Sequence, residues 1–168
     1  FQEWQKKGYI PSDRIEDGDE TSRLRRERGW RYWHQLFNPR QLLLLGLLSE
    51  LVHKEAKTKE EKLVGMLGIN RVADRGSKLC RWNAARDESE DTFYNQALNT
   101  LYVYGCRSIL FLKNNWFVQL NRNLDSPQNL VLPLDAKLIK HPAHIWLTDP
   151  PYADAINYEE ISEFFLAW

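Results

Sequence analysis

Ala143-His144-Ile145-Trp146-Leu147-Thr148-Asp149-Pro150-Pro151-Tyr152 is the stretch on which the fold turns. Its first six residues form an apolar run that reads as a buried strand. Residues 153–168 place Ile161, Phe164, Phe165 and Trp168 at helical spacing and read as an amphipathic helix. Strand, Pro-Pro corner and helix make one unit of an α/β sheet. Ligands of open α/β sheets bind beyond the carboxyl ends of the strands, where Asp149 to Tyr152 would stand. Proline fixes φ and has no N–H, so the Pro150 carbonyl is free to point into a pocket. Asp149 can accept from an amine, and Tyr152 can stack on a flat ring. The combination suits a planar base with an exocyclic NH2, taken out of its duplex stack. The plainer reading is a Pro-Pro turn capping a strand, with Asp149 as a turn residue and Tyr152 as packing.

Upstream, two more segments have strand character, residues 116–120 and 129–134, the second rich in Val and Leu. The middle of the chain is helical by its caps. Asn38-Pro39-Arg40-Gln41 supplies an N-cap, a proline at the first helical position and a capping-box glutamine. Phe37 and Leu42 are spaced for a hydrophobic staple. The helix should run from 39 to about 56. It is apolar on nearly every side between Leu42 and Leu48, which predicts a place at the centre of a core. Thr58-Lys59-Glu60-Glu61 is a second capping box, opening a helix that should end near Arg75, before Gly76. A third helix is expected from Asp91 or Thr92 to about Gly105, with Phe93, Ala97, Leu101 and Tyr104 on one face. Residues 1–28 lack periodicity and are expected to form an irregular arm.

A chain of 168 residues is long enough for one domain with its own core. Net charge is zero, so nothing pulls the whole molecule toward a polyanion. The charges are nevertheless in blocks. Asp13, Glu16, Asp17, Asp19 and Glu20 form an acidic run, as do Asp154, Glu159, Glu160 and Glu163. Arg23, Arg25, Arg26, Arg28 and Arg31 form a basic run; Arg71, Arg75, Lys78, Arg81 and Arg86 form another. Arginines interleaved with Trp30, Tyr32, Trp33 and Trp82 have the composition of a phosphate- and base-contacting surface. Solvated helix faces and internal ion pairs are the alternative. Cys80 and Cys106 lack metal-ligand spacing and suggest reduced thiols in a cytoplasm. His141 and His144 flank Pro142 without an acidic or thiol partner nearby, so no metal site is expected. No signal peptide and no apolar run of membrane-spanning length is visible.

Thr148-Asp149-Pro150-Pro151-Tyr152 resembles the catalytic motif of amino-group DNA methyltransferases, which methylate N6 of adenine or N4 of cytosine with S-adenosylmethionine. The wider chain is similar to a branch of large adenine-specific DNA methylase-like proteins with a zinc-ribbon-like segment. That similarity rests on Leu36-Phe37-Asn38-Pro39-Arg40-Gln41-Leu42, on Arg71-Val72-Ala73-Asp74-Arg75, and on Leu79-Cys80-Arg81-Trp82. The resemblance implies an α/β fold: part of a Rossmann-like methyltransferase sheet over residues 111–168, preceded by a helix-rich insertion over 29–110. It implies that Asp149 and the Pro150 carbonyl hold the target amine, with Pro151 rigidifying the corner and Tyr152 stacking on the base. Asp135, near the end of the preceding strand, matches loosely the acid that meets the cofactor; a helix N-cap or turn acid is the other reading. The expected nucleic-acid contacts are Arg40, Arg71, Arg75, Arg81 and Trp82. The expected partners are DNA and the remainder of a methyltransferase chain, with no membrane.

One departure stands out. Such enzymes carry a Gly-rich cofactor loop after a strand, and none of the eight glycines here clusters that way. The chain also starts without Met and stops inside an apolar pattern. The expectation is a piece of a larger enzyme, unable alone to hold S-adenosylmethionine properly. The rival expectations are a nucleic-acid-binding module and a defence-complex component, neither with transfer activity of its own.

Overall fold

The structure, a computed structural model, describes residues 1–93, 132–149 and 157–168. In chain order these form α1 (Gln2–Lys6), α2 (Thr21–Arg28), a 3-10 turn (Trp33–Leu36), α3 (Pro39–Glu55), α4 (Lys59–Gly76), β1 (Trp82–Asn83), β2 (Glu88–Ser89), a 3-10 turn (Ala136–Leu138) and α5 (Tyr158–Ala167). The protein is mixed and helix-rich, with one small antiparallel sheet among the described residues, β1 on β2. No helix of the described residues is long and apolar enough to cross a membrane.

The two long helices form where their caps predict. Asn38 Oδ1 accepts from Gln41 N at 2.9 Å, and Gln41 Oε1 accepts from Asn38 N at 2.8 Å. Thr58 Oγ1 accepts from Glu61 N at 3.1 Å, and Glu61 Oε2 accepts from Thr58 N at 3.3 Å. α3 and α4 lie against each other, with Gly65 in the contact. A Cβ at Gly65 would come within 2.5 Å of Val52 Cγ1, so only glycine permits this approach. Gly46 serves the other side of α3 in the same way, because a Cβ there would overlap the Trp4 indole of α1.

The core is aromatic and binds α5 to the N-terminal half. The Phe164 ring meets Trp33 edge-on at 5.7 Å, stacks on Phe37 at 6.1 Å and meets Phe93 at 5.3 Å. Trp168 meets Phe37 at 5.0 Å. Ring pairs in this distance range add to the apolar area that each ring buries. Ile15, Leu24, Leu36, Leu45, Ile69 and Ala73 complete this core.

Four expectations need correction. Residues 1–28 carry two helices and bury Ile10, Ile15 and Leu24, so they pack rather than dangle. Their two short helices are stabilised by tertiary contacts, which periodicity does not report. α3 is not enclosed: Leu43, Leu47 and Leu51 are about half exposed, as are Leu63, Val64 and Leu67 on α4. Residues 91–93 are not helical. Residues 143–148 and 132–134 have no regular secondary structure and expose their side chains, Ile145 at 84% and Leu147 at 96%. An apolar run becomes a strand only beside another that completes its ladder, and no described residue pairs with this one. A Rossmann-like sheet is therefore not among the described residues. The expected strand at 116–120, residues 129–131 and the helix over 94–105 lie outside them.

Candidate functional site

Three regions hold the residues that the sequence singles out. The first is the stretch 132–149. Asp149 is exposed at its end, and among the described residues nothing bonds or pairs with its carboxylate. Pro150, Pro151 and Tyr152 lie outside the described residues. Asp135 opens the 3-10 turn Ala136–Leu138, and its carboxylate accepts from Lys137 N at 2.9 Å. It thus has the bond of a turn acid. His141 and His144 are both exposed. No group of three or more His, Cys, Asp or Glu among the described residues has the arrangement of a metal site.

The second region is the corner where α4 ends. The last carbonyls of a helix have no partner within it. Here the following loop supplies them. The Cys80 thiol donates to the Asp74 carbonyl at 3.2 Å, and the Thr92 hydroxyl donates to the same oxygen. The Ser89 hydroxyl donates to the Arg75 carbonyl at 2.8 Å. Thr92 N donates to Asp74 Oδ1 at 3.0 Å, and Leu79 N donates to Ser77 Oγ at 3.0 Å. The β1–β2 hairpin is held open by Asn83, whose Oδ1 accepts from Ala85 N at 3.0 Å, and by Asp87 at φ +52°. The residues Arg71 to Arg75 and Leu79 to Trp82, which in sequence only suggest a family, are therefore the two sides of a hydrogen-bonded knot.

This knot brings three of the five expected nucleic-acid contacts together and gives two of them acidic neighbours. Arg75 Nε lies 3.5 Å from Asp91, and Arg81 pairs with Glu90, which also accepts from Asn83 Nδ2 at 2.6 Å. Trp82 is half-buried in β1. Arg71 stands one turn before Arg75 on α4, exposed, and Arg40 is exposed in the first turn of α3. Burial, opposed by the Thr92 N–H and reinforced by the neighbouring Asp91, pushes the Asp74 carboxyl up to about 6. Burial also pushes the Cys80 thiol up to about 11, against hydrogen bonds from Thr92 and Ser77. A buried thiol raised in this way carries little thiolate near neutral pH.

The third region was not legible in the sequence as one place. The two acidic runs meet across α2 and α5 and line a cavity of about 290 Å³ with Glu16, Asp17, Asp19, Glu159, Glu160 and Glu163. Glu160 accepts from Asp19 N at 2.9 Å, Glu20 N at 3.0 Å, and Thr21 N at 2.9 Å. It thereby caps α2, whose own N-cap Glu20 makes no side-chain capping bond. Burial works against its charge, but the Thr21, Asp19 and Glu20 donors outweigh that and hold the carboxyl below its usual range. Burial and the Glu16 carboxylate push Glu163 up. An adjoining cavity of about 210 Å³ is lined by Asp13, Arg14, Glu16, Trp33 and Glu163 among others. Neither cavity includes Asp135 or Asp149. Comparison with protein-family models, curated proteins and solved structures yields no match.

Proposed function

We propose that this chain is the amine-binding part of an S-adenosylmethionine-dependent DNA methyltransferase, acting on the exocyclic amine of a flipped base, with N6 of adenine as the first choice. The observation that carries the reading is the run Thr148-Asp149-Pro150-Pro151-Tyr152, with the Asp149 carboxylate exposed and, among the described residues, without a bonding partner. An exposed carboxylate next to a carbonyl with no competing N–H can accept both hydrogens of an NH2 group. Holding that nitrogen in one orientation aims its lone pair, which is catalysis by positioning. Tyr152 would supply the stacking surface for the base.

The described residues do not fit the methyl donor. Asp135 has its carboxylate on the Lys137 N–H, and no Gly-rich loop stands among the 168 residues. No transfer step is derived through the donor, which the remainder of a methyltransferase chain would hold. The missing loop also favours a second reading, a nucleic-acid-binding or defence-complex module without transfer activity. The test is incubation of the complete polypeptide with methyl-labelled donor and unmethylated duplex DNA, followed by mass spectrometry of the nucleosides. N6-methyladenine is the expected product. DNA left unmodified would favour the second reading.

A further inference from the structure

Two cations converge on one indole. α2 ends at Gly29, whose φ of +71° is open to glycine at little cost. Gly29 N donates to the Arg25 carbonyl at 2.9 Å and Trp30 N to the Leu24 carbonyl at 3.2 Å, which turns the chain back. Trp30 then packs its ring, half-buried, against the core. Lys78 arrives from the segment that follows α4. Its backbone N–H donates to the Leu36 carbonyl at 2.8 Å, which fixes that exit against the 3-10 turn. The Lys78 ammonium lies 4.7 Å from the centre of the Trp30 ring, and the Arg28 guanidinium carbon lies 6.0 Å from it. The two charges are therefore no more than about 11 Å apart.

What distinguishes this pair is its surroundings. The other arginines of α2 have acids: Arg23 has Glu20 and Glu27, Arg25 has Asp17 at 2.5 Å, and Arg26 has Glu27. Among the described residues no carboxylate lies within ion-pair distance of Arg28 or Lys78. Burial, with no carboxylate to oppose it, holds the Lys78 ammonium below its usual range. The negative face of an indole is a weak counter-charge beside a carboxylate. In a chain whose charges sum to zero, two cations held on one ring without an acid are placed rather than merely left over.

We infer that Arg28, Trp30 and Lys78 form a phosphate-binding site, in which the indole holds a guanidinium fork and an ammonium ready for phosphate oxygens. Guanidinium matches phosphate with paired donors, and an ammonium adds a compact charge. A separation within about 11 Å lets the two cations serve neighbouring phosphate groups. The phosphate can belong to a nucleic acid or to a free nucleotide. This site is separate from Asp149, and the inference stands without methyl transfer.

The test is fluorescence anisotropy of the full chain with a labelled duplex oligonucleotide, over roughly 50 to 200 mM salt. R28Q/K78Q should lower the salt slope by about two units, and R28Q alone, at an exposed helix end, by about one. K78R should keep the wild-type slope. R25Q should also keep it, because Asp17 already holds Arg25. Circular dichroism checks each fold, and the R28Q result decides should the double variant unfold. Displacement of the duplex by a nucleoside triphosphate or by inorganic phosphate would assign the site to a free phosphate group; displacement only by oligonucleotide would assign it to a backbone. An unchanged slope in folded R28Q would overturn the inference. So would no wild-type affinity for any phosphate probe, or equal competition by polyglutamate.

Discussion

Replacing Glu160 with Ala removes the cap of a helix whose first residue lies 139 positions away. Three backbone N–H groups, of Asp19, Glu20 and Thr21, and the Thr21 hydroxyl lose their shared acceptor. Loss of an N-cap costs about 0.5–2 kcal/mol, and three N–H donors on one carboxylate place this case near 2 kcal/mol. Water reaches the site and keeps the loss from going higher. For a chain of this length, Tm should fall by roughly 4–8 °C, read by calorimetry at pH 7. Glu160→Gln keeps an acceptor oxygen and should lose about half as much. The pH dependence has a definite sign. The folded carboxyl lies below its ordinary value of 4.5, so its contribution is full above that value. It fades as pH falls through the folded value, and the gap between wild type and Glu160→Gln should close there. Gly18→Ala should act through the same contact, since its Cβ would overlap the Glu160 carboxylate, and should add little to Glu160→Ala. A Tm of Glu160→Ala within about 1 °C of wild type at pH 7 would refute the reasoning.

Three further outcomes are expected. Asp74 titrates upward to about 6 in the fold, so the folded state holds its proton more tightly than the unfolded chain does. Its contribution is full below the ordinary value of 3.8 and is lost as pH rises through about 6. Chemical denaturation from pH 4 to 7 should show that decline, at most about 3 kcal/mol, in wild type, and a flatter profile in Asp74→Asn. Gly65→Ala should destabilise by about 1 kcal/mol, overpacking against Val52 outweighing the helix-propensity gain, and Val52→Ala in the same chain should relieve it; additive losses would contradict the close approach. Calorimetric titration of the 168-residue chain with S-adenosylmethionine should give binding weaker than micromolar, about −8 kcal/mol; micromolar affinity would place a cofactor site within these residues and contradict the reading.

The parts of the fold legible in the sequence are those whose causes are local. Asn38 with Gln41 and Thr58 with Glu61 fix the starts of α3 and α4 within four residues each, and both boxes form as read. The amphipathic run around Phe164 gives α5 for the same reason. What was not legible is long-range. No pattern near Thr21 says that Glu160 caps it, and nothing near Asp74 says that Cys80, Ser89 and Thr92 close the helix end. Asn83 and Asp87, turn residues at hairpin spacing, are a usable signal for β1 and β2 in a stretch read above only for its arginines and Trp82. Residues 143–148 show the converse: composition favours a strand, but a strand also needs a neighbour. Of the expected site, Asp149 is exposed and the rest of its motif lies outside the described residues, whereas Arg75 and Arg81 meet acids of their own loop, which charge blocks alone cannot disclose.

The central claim is that Asp149 accepts from the amine of a base, and Asp149→Ala in the complete polypeptide tests it most directly. The side chain is exposed and, among the described residues, bonded to nothing, so its removal should leave the thermal transition within about 0.5 kcal/mol of wild type. Transfer of labelled methyl groups to duplex DNA should be abolished, while DNA affinity changes little. A folded Asp149→Ala protein that methylates DNA at the wild-type rate would contradict the account.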